Sequence, residues 1–161
     1  MKIIVYESNT GTSKKYAEAL SEKRGIPCYH ISDCLDIDPE SEVIFIGWLM
    51  GNEIQGLKKA REFFPNISTI LAVGMMKNDK NNTAIAEKNA IGDDIVFRTL
   101  PGAFDMSKLK GMYKMMMGMM MKMLKSKLKE SADKENSEKV LHALEDGIDM
   151  YDESALEGIA Q

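Results

Sequence analysis

Five short apolar runs recur along this chain with helical patterning between them: KIIVY (2–6), CYHI (28–31), VIFIG (43–47), TILAVG (69–74) and DIVFRTL (94–100). The strongest of them are continuous rather than alternating, which suits strands buried on both faces. The intervals read as crossover helices. Thr12–Arg24 sets Tyr16, Ala19 and Leu20 on one side and is stopped by Gly25-Ile26-Pro27. Leu57, Ala60, Arg61 and Phe64 keep helical spacing up to Pro65, and a shorter helix is predicted near Thr83–Asn89. Strands alternating with helices predict an α/β domain. The expected form is a doubly wound, five-stranded parallel sheet of order 2-1-3-4-5, a three-layer sandwich spanning residues 1–161.

Beyond residue 100 the pattern changes. Pro101-Gly102-Ala103-Phe104-Asp105 reads as a turn, and Lys108 to Glu130 as one long helix, about 34 Å at 1.5 Å per residue. The polar linker SADKENS (131–137) precedes a last helix, with Val140, Leu141, Leu144 and Ile148 at core spacing. A five-stranded sandwich needs one helix after its fifth strand, so 108–130 is expected to be an insertion. The acids from Glu145 to Glu157 read as a solvated face and tail.

Composition narrows the class. With 44% hydrophobic and 29% charged residues the chain is that of an ordinary globular protein. No run approaches the roughly 20 apolar residues of a membrane span. No leader pattern opens the chain, so a cytoplasmic location is expected. Cys28 and Cys34 are too few for a disulfide framework and lack metal-type spacing, which predicts reduced thiols. His30 and His142 have no partner pattern for a catalytic triad or a metal. Charge is unevenly placed. Lys108, Lys110, Lys114, Lys122, Lys125, Lys127 and Lys129 fall in a stretch without acids, and taking these seven from the formal −4 leaves −11 elsewhere. That balance, with no base-reading motif, predicts no nucleic-acid partner.

The turn after the first strand carries the chemistry. Ser8-Asn9-Thr10-Gly11-Thr12-Ser13 offers four hydroxyls and a glycine that permits close backbone approach. The helix starting near Thr12 adds unpaired N–H groups and the positive end of its dipole. Open parallel sheets bind ligands beyond the carboxyl ends of their strands, so this turn is a candidate phosphate site without a basic side chain. It suits a monoester better than a pyrophosphate, which calls for a GxGxxG turn. The alternative is an ordinary N-cap, with Thr10 or Thr12 holding the helix start.

S-x-T-G-T-S after IIVY resembles the flavodoxin phosphate loop, (S/T)-x-T-G-x-(T/S), with Ser13 where threonine is commoner. The likeness covers residues 1–105 in element order. It continues into PGAFDMSKL and a Met/Lys helix, similar to the branch containing the menaquinone-dependent protoporphyrinogen oxidases. The resemblance implies FMN, bound non-covalently with its phosphate at Ser8, Asn9, Thr10, Gly11, Thr12 and Ser13. It also implies two ring-holding loops. Gly47-Trp48-Leu49-Met50-Gly51-Asn52 would supply Trp48 for stacking, or for the core against the next helix, and a Gly51–Asn52 peptide able to turn toward the flavin. Met75, Met76, Lys77 and Asn78 would flank the other side, where flavodoxins usually place an aromatic residue; the first loop is also shortened.

KLKGMYKMMMGMMMKMLKSKLK holds eight of the fourteen methionines. On a helical wheel Leu109, Met112, Tyr113, Met116, Met119, Met120, Met123 and Leu124 share a broad face, with most lysines opposite. Such a helix either packs on the sheet, or meets an anionic membrane surface, an apolar ligand or a protein partner. The leading expectation is an FMN-binding, flavodoxin-like protein in electron transfer or flavin-dependent oxidoreduction, with a redox protein or small-molecule substrate as partner. The alternatives are a protoporphyrinogen-oxidase-like dehydrogenase acting on an apolar substrate at the membrane surface, and a flavin-free interaction module. No side chain stands out as a general acid or base, so no catalytic residue is assigned.

Overall fold

A computed structural model describes residues 1–74, 81–104, 106–109, 111–128, 130, 135, 138, 142 and 146–159. Residues 1–102 with 150–161 form one compact unit, and 103–149 a second.

The first unit holds β1 (Lys2–Tyr6), α1 (Thr12–Arg24), β2 (Cys28–His30), β3 (Glu42–Met50), β4 (Glu53–Ile54), α2 (Leu57–Phe63), β5 (Ile67–Gly74), α3 (Asn82–Lys88) and β6 (Val96–Pro101). Its sheet runs β2-β1-β3-β5-β6, with β4 paired to β3. The four pairings between neighbours in this row follow the expected 2-1-3-4-5 order and are parallel; the β3–β4 ladder is antiparallel.

Strand alternation sorts the apolar side chains between two cores. Ile3, Val5, Val43, Phe45, Ile70 and Ala72 meet Leu57 and Ala60 of α2, Phe64 just after it, and Ile85 of α3. Ile4, Ile44, Ile46, Leu71, Val73 and Leu100 meet Tyr16, Ala17 and Leu20 of α1. Helices therefore cover both faces, as parallel sheets require. α1 ends as its sequence suggests: Gly25 takes a left-handed conformation (φ 63°) and its N–H bonds the Ser21 carbonyl at 2.8 Å. Lys23 and Arg24 sit in the last turn, where positive charge favours the helix dipole.

Two expectations need correction. VIFIG does not end at Gly47: the strand runs on through Trp48, Leu49 and Met50 and returns as β4. The two residues between them, Gly51-Asn52, form a tight turn with Gly51 at φ 61°, the type II′ pattern that matches strand twist. Ile148, expected in a last helix, lies in the strand β8 (Ile148–Asp149), which pairs antiparallel with β7 (Ala103–Phe104). Val140, Leu141 and Leu144 of that expected helix lie outside the described residues. In the tail the described acids, Asp146, Asp149, Asp152, Glu153 and Glu157, are exposed as expected, but two apolar residues among them are not. Leu156, on a 3-10 turn spanning Glu153–Leu156, and Ile159 are buried in the α1-side core.

The return segment is tied down by α1. The Tyr16 hydroxyl donates to the Pro101 carbonyl and accepts from the Asp152 amide at 3.1 Å. Its ring packs on Tyr151 with centroids 4.5 Å apart, and Arg24 donates to the Ile159 carbonyl at 2.8 Å.

In the second unit, a 3-10 turn at Met106–Lys108 precedes α4 (Gly111–Leu128). Leu109 and Met121 are buried, whereas Met112, Met116, Met119, Met120 and Met123 of the expected apolar face are exposed.

Candidate functional site

The Ser8–Ser13 turn lies at the carboxyl end of β1, where the Glu7 amide still bonds the Ile46 carbonyl of β3 at 3.0 Å. Ser8 Oγ accepts from the Gly11 amide at 3.0 Å, closing the turn on itself. Gly11 is the N-cap of α1, at φ 100° and ψ −7°. An L side chain is strained there, although the space is open: nothing lies within 4 Å of a Cβ built on Gly11.

That answers the capping question. The residue at the N-cap is Gly11, which has no side chain, and no side-chain cap is made there among the described residues. Helix geometry leaves the amides of Thr12, Ser13 and Lys14 without an intrahelical acceptor, since the first i→i−4 bond is Lys15 to Gly11, at 3.0 Å. The first turn also carries no acid to offset the dipole.

Two buried oxygens sharpen the picture. Ser13 is 1% exposed, and its Oγ has no hydrogen-bond partner among the described residues; Asn9 Oδ1 is likewise buried and without one among them. Each orphaned group costs about 1–3 kcal/mol relative to a paired one. A ligand oxygen reaching the turn would satisfy the Ser13 hydroxyl, and the Asn9 carboxamide can offer either its oxygen or, after a half-turn, its NH2. The neighbouring lysines are engaged elsewhere. Lys14 pairs with Glu18 at 3.7 Å, and Lys15 lies 4.0 Å above the Tyr151 ring. The donor set thus fits an anion such as a phosphate monoester, bound by amides and hydroxyls.

Around this turn the strand ends are knit together. Glu7 lies 3.5 Å from His30 Nε2, and the His30 ring meets Tyr6 edge-on at 5.3 Å. His30 Nδ1 accepts from the Ser32 amide at 3.2 Å and caps a 3-10 turn at Ile31–Asp33. Burial, reinforced by Cys28, Glu18 and Asp33, pushes the Tyr6 phenol above its ordinary value. Gly56, at φ 83°, lies so close to Glu7 that a Cβ would fall 2.5 Å from the Glu7 Cβ. The turn from β4 into α2 therefore rests directly on the chain leaving β1.

Trp48, Leu49 and Met50 are half-buried on the extended β3, and alternation sets Trp48 on the same side of the sheet as Ile44, Ile46 and α1. The hairpin tip is anchored by a residue that sequence reasoning passed over. Asn89, at the end of α3, accepts from the Ile54 amide at 2.9 Å through Oδ1. Its Nδ2 donates to the Asn52 and Ile85 carbonyls, both at 2.7 Å. Arg61 holds the Asn89 and Ala90 carbonyls at 2.6 and 3.0 Å. An asparagine closing a helix is a recognisable stop signal, but its second partner is distant in sequence. Met75, Met76, Lys77 and Asn78 lie outside the described residues.

No curated protein and no solved structure matches this chain. The family model for the flavodoxin domain matches residues 3–131, which takes in the turn at Ser8–Ser13, all the parallel strands and α4. With that match and this sheet order, the chain belongs to the flavodoxin domain family.

Proposed function

We propose that this protein binds FMN non-covalently, with the phosphate at Ser8–Ser13, and serves in electron transfer or flavin-dependent oxidoreduction. The observation that carries this reading is the uncapped start of α1 beside the orphaned Ser13 hydroxyl. The amides of Thr12, Ser13 and Lys14 and the hydroxyls of Thr10, Thr12 and Ser13 bind the phosphate; Gly11 lets the backbone approach it. Trp48, Leu49, Met50, Gly51 and Asn52 on the hairpin, with Met75, Met76, Lys77 and Asn78, are the ring-holding residues on this reading. Asn89 fixes the hairpin in place. FMN, when bound, supplies one- and two-electron transfer.

The test is a fluorescence titration of the purified protein with FMN and with riboflavin. Tighter binding of FMN, lost when Thr10 and Thr12 are both replaced by alanine, is the expected result. If the protein is colourless and added FMN keeps its full fluorescence, the fold serves as an interaction module instead. A second reading draws on the exposed methionines of α4: a dehydrogenase for an apolar substrate, in the manner of the menaquinone-dependent protoporphyrinogen oxidases. A stepwise reductive titration separates the two, since two resolved one-electron steps mark a carrier and a single two-electron step marks the dehydrogenase.

A further inference from the structure

Six methionines of α4 stand in solvent: Met112, Met115, Met116, Met119, Met120 and Met123 are 45–67% exposed. At 3.6 residues per turn they share an arc of about 140° along one side of the helix. Met121 lies opposite and is 7% exposed. A helix that keeps one methionine inside and turns six outward presents an apolar stripe that water does not favour, and such stripes mark contact surfaces.

Charge selects the partner. α4 contains Lys114, Lys122, Lys125 and Lys127 and no acid, in a molecule that is otherwise strongly acidic. On the wheel Lys122 lies just outside one edge of the methionine arc and Lys127 falls within it, one turn beyond Met123, where long side chains can reach past an apolar contact to anionic groups. A second copy of the chain would bring like charges together across the stripe, and a neutral apolar ligand would leave Lys122 and Lys127, on the methionine side, with nothing to attract. An extended anionic surface with an apolar layer beneath satisfies both features.

We propose that α4 docks this protein on the surface of a bilayer containing anionic lipid. The helix lies in the plane of the interface, its methionines in the boundary between headgroups and acyl chains, with Lys122 and Lys127 at the lipid phosphates. No described helix is long and apolar enough to cross a membrane, so the contact is with the surface. Unbranched, flexible thioethers adapt to an irregular apolar boundary better than branched side chains do. Each lysine at an anionic surface is worth about fivefold in partitioning, the equivalent of about 1 kcal/mol.

Co-sedimentation of the full chain with phosphatidylcholine vesicles, with and without phosphatidylglycerol, tests this. The protein should pellet with the anionic vesicles and be released as salt rises, because the attraction is screened within a Debye length. The double variant Lys122→Gln, Lys127→Gln should lower partitioning about 25-fold. The triple variant Met116→Gln, Met119→Gln, Met123→Gln should abolish it while leaving the far-UV circular dichroism unchanged, since glutamine is a good helix former at exposed positions. Three outcomes overturn the proposal: no binding to anionic vesicles, equal binding to neutral ones, or a concentration-dependent dimer that the methionine variant dissociates. The assay needs no flavin, so its result is independent of the FMN reading.

Discussion

The Met150 amide donates to the Gly102 carbonyl at 3.0 Å, so the chain returns to the sheet-bearing unit one hydrogen bond from where it departed. The β7–β8 ladder then pairs Ala103 with Asp149 and Phe104 with Ile148. Everything between is an excursion from one paired base. Replacing residues 104–148 by an Asn-Gly turn should therefore give a chain that folds, because a two-residue turn can close paired antiparallel strands. Cooperative urea unfolding and retained flavin binding are expected, with vesicle binding lost. A broad, non-cooperative transition would mean that the sheet-bearing unit depends on the excised segment.

Ser13→Ala separates ligand binding from folding. Removing a buried hydroxyl that has no partner should leave the flavin-free protein equally stable or raise its melting temperature by a few degrees, about 2–4 °C for a gain of 1 kcal/mol. The same change should weaken FMN about tenfold and leave riboflavin untouched, as for one lost hydrogen bond to a charged group. Fluorescence titration and thermal melts check both halves. Equal losses for the two flavins would place the hydroxyl away from the phosphate.

Asn89→Ala strips the hairpin of its anchor. The Ile54 amide and the Asn52 carbonyl lose a partner at once, and a cost of about 3 kcal/mol is expected in urea denaturation. Amide exchange should quicken at Ile54 well before the rest of β3. Asn89→Asp retains the acceptor for Ile54 and should recover part of that protection.

Cys34 and Cys28 should differ in reactivity. Cys34 is 2% exposed and donates to the His30 carbonyl at 3.4 Å. Burial, then the Asp33 carboxylate, push its thiol above the ordinary value. A raised thiol pKa means less thiolate at any given pH, so alkylation at pH 8 should be about tenfold slower at Cys34 than at half-buried Cys28. Mass spectrometry on a timed iodoacetamide reaction reads both sites. Comparable rates would mean that the Ile31–Asp33 turn opens readily.

The parallel strands and α1 were legible because their signals are local. Continuous apolar runs mark β1, β3 and β5, and Gly25-Ile26-Pro27 punctuates α1 at the residue where it stops. The Ser8–Ser13 turn was legible as composition and position, but not the orphaned Ser13 hydroxyl, which depends on how the turn is buried. Gly51-Asn52 is a hairpin signal, yet a two-residue return strand such as Glu53-Ile54 is too short to show periodicity. Leu156 and Ile159 sit among acids and glycine, so only the tertiary fit to Tyr16 and Leu20 reveals them as core. In α4, methionine occupies the buried and the exposed side alike, so amphipathic spacing could not tell which faces inward.

The placement of Leu156 and Ile159 has a consequence for biosynthesis. A nascent chain emerging from the ribosome carries all five parallel strands and α1 while one face of its sheet still lacks its final seal. Completion waits until the whole excursion from Ala103 to Asp149 has been synthesised. During that interval the core that holds Ile44, Ile46 and Leu100 lacks Leu156 and Ile159, the kind of incomplete packing that recruits chaperones. A premature stop just before Leu156 should accordingly yield aggregates rather than a slightly shortened soluble protein.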